Sequence, residues 1–80
     1  MASKLDLKNW IVEALKRNSN SASLVIIAKD IWYFHEIDLR SSGDLFYTWQ
    51  YDMRWAANSL RREGVLKPAD ISPSGVWQLA

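Results

Sequence analysis

Residues 44–79, DLFYTWQYDMRWAANSLRREGVLKPADISPSGVWQL, decide the fold. From Asp44 to Glu63 apolar residues recur at helical spacing, and Gly64 follows where a left-handed cap ends a helix. Val65-Leu66-Lys67 and Val76-Trp77-Gln78-Leu79 then carry strand-forming residues on either side of a Pro/Ser/Gly turn, Pro68 to Gly75. The order is helix, glycine stop, short strand, turn, short strand. A long helix leading into a small hairpin is how a winged helix-turn-helix closes.

Upstream, Leu7, Trp10, Ile11, Ala14 and Leu15 follow the spacing of an amphipathic helix, with Ser3 or Asp6 as N-cap and Arg17-Asn18 near its end. Asn18 to Ser23 is rich in Ser and Asn and reads as a loop whose last serine can cap a second helix, although a brief strand at Ala22 to Leu24 could pair with the hairpin. Leu24 to Glu36 reads as that second helix on the repeat of Leu24, Ile27, Ala28, Ile31 and His35. Val25, Ile26, Trp32 and Tyr33 lie off that stripe, so this helix is either sandwiched between neighbours or exposes an apolar flank. Ile37 to Gly43 reads as a connection, with Ser42 or Asp44 capping the third helix. The fold expected is α+β and mainly helical: one domain over residues 1–80, three helices followed by a C-terminal β-hairpin wing.

Composition narrows the function. Eighty residues with five Trp, three Tyr and two Phe can build one small core, which makes most of these rings core mass. No cysteine is present, so disulfides, thiolate zinc sites and cysteine nucleophiles are excluded, and an intracellular protein, cytoplasmic or nucleoid-associated, is the simplest reading. The longest apolar run, Leu24 to Ala28, is far too short to span a bilayer. His35 is the only histidine, without partners for a metal site, and three glycines form no phosphate loop. No cofactor is implied and a non-enzymatic protein is expected.

The net charge of +1 is weak for a nucleic-acid binder, so the distribution of charge decides. A turn of 100° per residue places Leu45, Phe46, Trp49, Met53, Ala56, Ala57 and Leu60 of the third helix in one apolar sector. The opposite sector collects Tyr47, Gln50, Tyr51, Arg54, Asn58, Arg61 and Arg62, with Asp52 and Glu63 outside it. Such a face suits duplex DNA, because Arg grips phosphate or pairs with guanine and Asn and Gln pair with adenine. A polar outer face is also what any solvated helix carries, and Arg61 and Arg62 complement the dipole at the helix end. The residues expected to contact DNA are Tyr47, Gln50, Arg54, Asn58, Arg61, Arg62 and Lys67. Trp55 falls on neither face and is expected to pack beneath the hairpin near Trp77, itself the hairpin's anchor.

Tyr51-Asp52-Met53-Arg54-Trp55-Ala56-Ala57-Asn58-Ser59-Leu60-Arg61-Arg62-Glu63-Gly64-Val65-Leu66, followed by Gly75-Val76-Trp77-Gln78-Leu79, resembles the N-terminal winged-helix domain of Mrr-type restriction proteins. The resemblance lies in the Arg-Trp-Ala core, the Leu before a Gly-apolar-Leu helix exit and the Gly-x-Trp-x-Leu closing strand, and it extends more weakly to Ile27-Ala28 and Ile31. It implies a DNA-binding winged helix-turn-helix with the third helix as recognition helix and the hairpin as wing. The resemblance covers the DNA-binding domain alone, so restriction activity is not carried over. Ser74 stands where that family is often basic, and with Asp70 in the same loop the wing is poorly suited to phosphate, which leaves the third helix and Lys67 to hold DNA. The competing expectation is a protein-interaction module or homodimer, docking through Val25, Trp32, Tyr33 and Phe34 of the second helix.

Overall fold

The computed structural model describes residues 2–80 and is mainly helical, three helices with a two-stranded antiparallel sheet. Helix α1 spans Lys4–Arg17, strand β1 Ser21–Ser23, helix α2 Leu24–Arg40, helix α3 Leu45–Arg62 and strand β2 Val76–Gln78. The N-cap of α1 is Ser3, whose backbone N–H donates to the Asp6 carboxylate at 2.9 Å and so satisfies a donor the helix leaves free. The chain leaves α1 through Ser19 and Asn20, both at positive φ, with the Asn20 N–H reaching back to the Leu15 carbonyl at 2.7 Å.

That exit aims residues 21–23 at the C-terminus. The alternative of a brief strand at Ala22 to Leu24 pairing with the C-terminal strand is met one residue earlier: Ser21, Ala22 and Ser23 pair with Gln78, Trp77 and Val76. Ser23 also caps α2, its hydroxyl accepting from the Ile26 N–H at 3.3 Å. The expected strand Val65-Leu66-Lys67 is reduced to a bridge between Leu66 and Leu79, with the Lys67 N–H donating to the Gln78 carbonyl at 2.9 Å. The cause lies at both ends. Gly64 at φ +80° and Val65 close α3 as a Schellman motif, their N–H groups donating to the Arg61 and Leu60 carbonyls, and Pro68 offers the ladder no donor.

Helix α2 runs four residues past the expected Glu36. Its dihedrals break at His35 (φ −129°, ψ 19°), and the final turn beyond the kink is held by an Arg40–Glu36 ion pair and carries Leu39 to full burial. The connection to α3 shrinks accordingly. Ser42 does not cap α3: it is buried, donates to the Asp38 carbonyl, and accepts the Ala2 N–H at 3.0 Å, which ties the start of the chain to the α2–α3 corner.

The core is one cluster, built from Leu7, Ile11, Ala14 and Leu15 of α1, Ile27, Ile31 and Leu39 of α2, Leu45, Trp49, Met53, Ala56, Ala57 and Leu60 of α3, with Leu66 and Trp77. Most positions the helical periods select are among these, while Trp10, Leu24 and Ala28 pack partly buried against the cluster and His35 is half-buried. Phe46 is only half-buried. Trp77 is buried in the sheet as its anchor, and Trp55 is half-buried against the core, with the Lys4 ammonium at the first turn of α1 lying 4.5 Å from its ring centroid. Arg17 clamps α1 to α2, both Asp30 carboxylate oxygens lying 3.1 Å from its Nε, and Asp30 holds the guanidinium above its ordinary pKa by accepting those bonds.

Candidate nucleic-acid interface

Helix α3 buries one side against α1 and α2, so its remaining surface is fixed by geometry. Tyr47 and Tyr51 stand 84% and 77% exposed on the outer face, with Gln50, Arg54, Asn58 and Arg62 also exposed. Arg61 is set lower: it is half-buried, and its Nε is shielded from solvent with no hydrogen-bond acceptor among the described residues. A desolvated guanidinium nitrogen without a partner costs on the order of 1–3 kcal/mol, which an anion at the same guanidinium would help offset.

Three clefts mark out this surface. One, of about 200 Å³, lies between Leu24 at the start of α2, Arg54, Ala57, Asn58 and Arg61 of α3, and Gly75 and Trp77 at the sheet. A second, of about 250 Å³, shares Leu24 and Arg54 with it and adds Ala28, Gln50, Tyr51 and Met53. A third, of about 300 Å³, lies on the opposite flank between Lys4 of α1 and Tyr51, Asp52, Arg54, Trp55 and Asn58. Arg54 lines all three, so it occupies the middle of the face, and Gln50, Asn58 and Arg61 are brought beside it. Tyr47 and Lys67 line none of them. Tyr47 leans edge-on against Phe46, centroids 5.0 Å apart, and Lys67 sits exposed beside β2.

The ion pairs lie off this face. Lys8 pairs with Glu63, Arg17 with Asp30 and Arg40 with Glu36, while His35 stacks on Trp10 at 3.9 Å with Glu13 at 3.5 Å and Asp38 at 3.7 Å. Among the described residues, Arg54, Arg61, Arg62 and Lys67 enter none. The one carboxylate within α3, Asp52, accepts the Thr48 hydroxyl at 2.7 Å. Glu63 is held below the usual carboxylate range, first by the Lys8 ammonium and then by the Ser59 hydroxyl, with Arg62 adding a smaller attraction. The acid at the end of α3 is therefore engaged by α1.

Sequence periodicity placed Tyr51 on this face without naming it a contact, and it missed two residues that other helices supply. Lys4 adds a cation from α1, Tyr51 lines two of the clefts together with Arg54, and Lys29 of α2 is exposed near Gln50. The apolar flank expected on α2 is also redrawn. Trp32 is not on it: it is half-buried, stacked on Trp49 with centroids 6.1 Å apart. The exposed flank consists of Val25, Ile26, Tyr33 and Phe34, with Ile37 added at 84% exposure because the helix continues past Glu36.

No helix among the described residues is long and apolar enough to cross a membrane, and none of their His, Asp and Glu side chains group in threes to hold a metal ion. No protein-family model, curated protein or solved structure matches the chain.

Proposed function

We propose that this chain is a non-enzymatic winged helix-turn-helix module that binds duplex DNA, a small regulator or accessory protein of the cytoplasm or nucleoid. Helix α3 enters the major groove, with Tyr47, Gln50, Arg54 and Asn58 facing base edges and phosphates, Arg61 and Arg62 contacting the backbone, and Lys67 reaching phosphate from the wing formed by β1, β2 and the Leu66–Leu79 bridge. The observation that carries this reading is the segregation of charge. The arginines of α1 and α2, Arg17 and Arg40, are neutralised by Asp30 and Glu36, and Lys8 by Glu63, while the three arginines of the α3 outer face have no carboxylate partner of their own among the described residues. Unpaired arginines beside exposed Asn, Gln and Tyr are the groups that exchange counterions for phosphate. Anisotropy titration of a labelled mixed-sequence duplex tests the reading: binding that weakens steeply with salt is expected, and no binding at low salt removes it.

A second reading rests on α2. Tyr33 at 79% and Ile37 at 84% exposure, with Val25, Ile26 and Phe34, form an apolar flank of the kind that docks a protein or a second copy. A monomer by light scattering at high concentration counts against self-association, and a dimer that Ile37→Glu dissolves supports it.

A further inference from the structure

One further cleft adjoins these contacts and shares Gln50 with them. It measures about 440 Å³, opens between α2 and α3, and is lined by Ala28, Lys29, Trp32, Phe46, Trp49 and Gln50. That volume lies within the range of small-ligand sites, roughly 300–1,000 Å³. Its walls are aromatic: the Trp32 and Trp49 rings are within 11° of parallel, and Phe46 lies 6.4 Å from Trp32. The Arg40 guanidinium, 5.2 Å from Trp32 and 5.7 Å from Phe46, adds a cation against the same rings. No acidic side chain lines the cleft, and the side chains of Lys29 and Gln50 hydrogen-bond to no protein group among the described residues. It shares Ala28 and Gln50 with the neighbouring cleft, which in turn shares Leu24 and Arg54 with the one that reaches Trp77.

Flat apolar walls, an amide free to donate and accept, and an unpaired ammonium match one chemical class: a planar nucleobase with its phosphate. We propose that this cleft takes a single unstacked nucleotide of the bound nucleic acid, the base against Phe46 and Trp32, its edge at Gln50 and its phosphate at Lys29. The inference rests on the DNA-binding reading and deepens it, since it makes the preferred ligand a duplex that carries an unpaired base. Stacking on aromatic side chains is sequence-tolerant, so the selection is for an unpaired nucleotide rather than for its identity.

The test compares one duplex with and without a single bulged adenosine, in the wild-type chain and in Lys29→Gln and Phe46→Leu, and separately follows the Trp32 and Trp49 indole N–H resonances during a dAMP titration. The bulged duplex is expected to bind roughly tenfold tighter, as one stacked base provides. Phe46→Leu, which keeps every charge, is expected to lose that gain while binding the plain duplex as before, and Lys29→Gln is expected to reduce the ratio of bulged to plain affinity. Equal affinity for the two duplexes overturns the inference and leaves the DNA reading intact. If neither duplex binds, the DNA reading fails and the dAMP titration decides the cleft: indole shifts that Lys29→Gln abolishes uphold nucleotide binding, and unmoved indoles overturn it.

Discussion

Ala22 lies opposite Trp77 in the antiparallel pairing of β1 with β2, so the segment between the first two helices is stitched to the last strand of the chain. Trp77 is buried in the cluster that holds all three helices, and the small methyl of Ala22 leaves its partner's ring turned into that cluster. Trp77→Ala should therefore cost about 3–5 kcal/mol, the usual effect of emptying a core aromatic position. Urea unfolding followed by far-UV circular dichroism measures it, and a loss below about 1 kcal/mol would remove Trp77 from its role as anchor.

Gly64 provides a separate check on the helix exit. Its φ of +80° is needed for the Schellman closure, and a Cβ added there would meet nothing within 4 Å. Gly64→Ala should thus lose only the conformational penalty, roughly 1–2 kcal/mol, with unchanged DNA affinity in the folded fraction. An unaltered midpoint would mean that the exit tolerates another geometry.

The Lys8–Glu63 contact predicts a direction in pH. Because the Glu63 carboxyl is held low by Lys8 and then Ser59, its stabilising contribution is present above the unfolded carboxylate pKa and is lost as pH falls through the lower folded value. Lys8→Ala should return the Glu63 carboxyl toward its ordinary range in a carbon-detected NMR titration. A Glu63 titration indifferent to Lys8→Ala would show the ion pair absent in solution.

Arg54 lines every cleft on the α3 face that the DNA reading uses, so it carries the largest single prediction for binding. Arg54→Ala should weaken duplex affinity by about 1–3 kcal/mol if it reads a base, with relaxed preference at one position, whereas Lys67→Ala should weaken all sequences alike and reduce the salt slope by about 1. Lys16, exposed on α1 away from these clefts, gives the control, and Lys16→Gln is expected to leave affinity unchanged. Equal effects of all three substitutions would point to diffuse charge rather than a face.

Much of this architecture is legible in local sequence. The period of 3.6 residues selects Leu45, Trp49, Met53, Ala56, Ala57 and Leu60 for burial, and Gly64 marks the end of α3, because both depend on neighbours within two turns. Partnership across the chain is not encoded in local pattern. Whether Val76–Gln78 pairs with residues 65–67 or with 21–23 depends on where the exit from α1 aims the backbone, and that is set by positive φ at Ser19 and Asn20, which composition alone reads as loop. The site divides in the same way. Periodicity gathers Gln50, Arg54, Asn58 and Arg61 on one face, but Lys4 beside Trp55 and Lys29 beside Trp32 arrive from other helices. The extension of α2 to Arg40 was hidden because Asp38 and the Ser41-Ser42-Gly43 run read as a connection, while the Glu36–Arg40 pair and the buried Leu39 support a final turn.

The most direct test of DNA binding by α3 is an amide- and side-chain-resolved NMR titration of the chain with a mixed-sequence duplex at low and at physiological salt. Shifts that concentrate on Gln50, Tyr51, Arg54, Asn58 and Arg61 and weaken with salt are predicted. Shifts confined to Val25, Tyr33 and Ile37, or none at low salt, would contradict it.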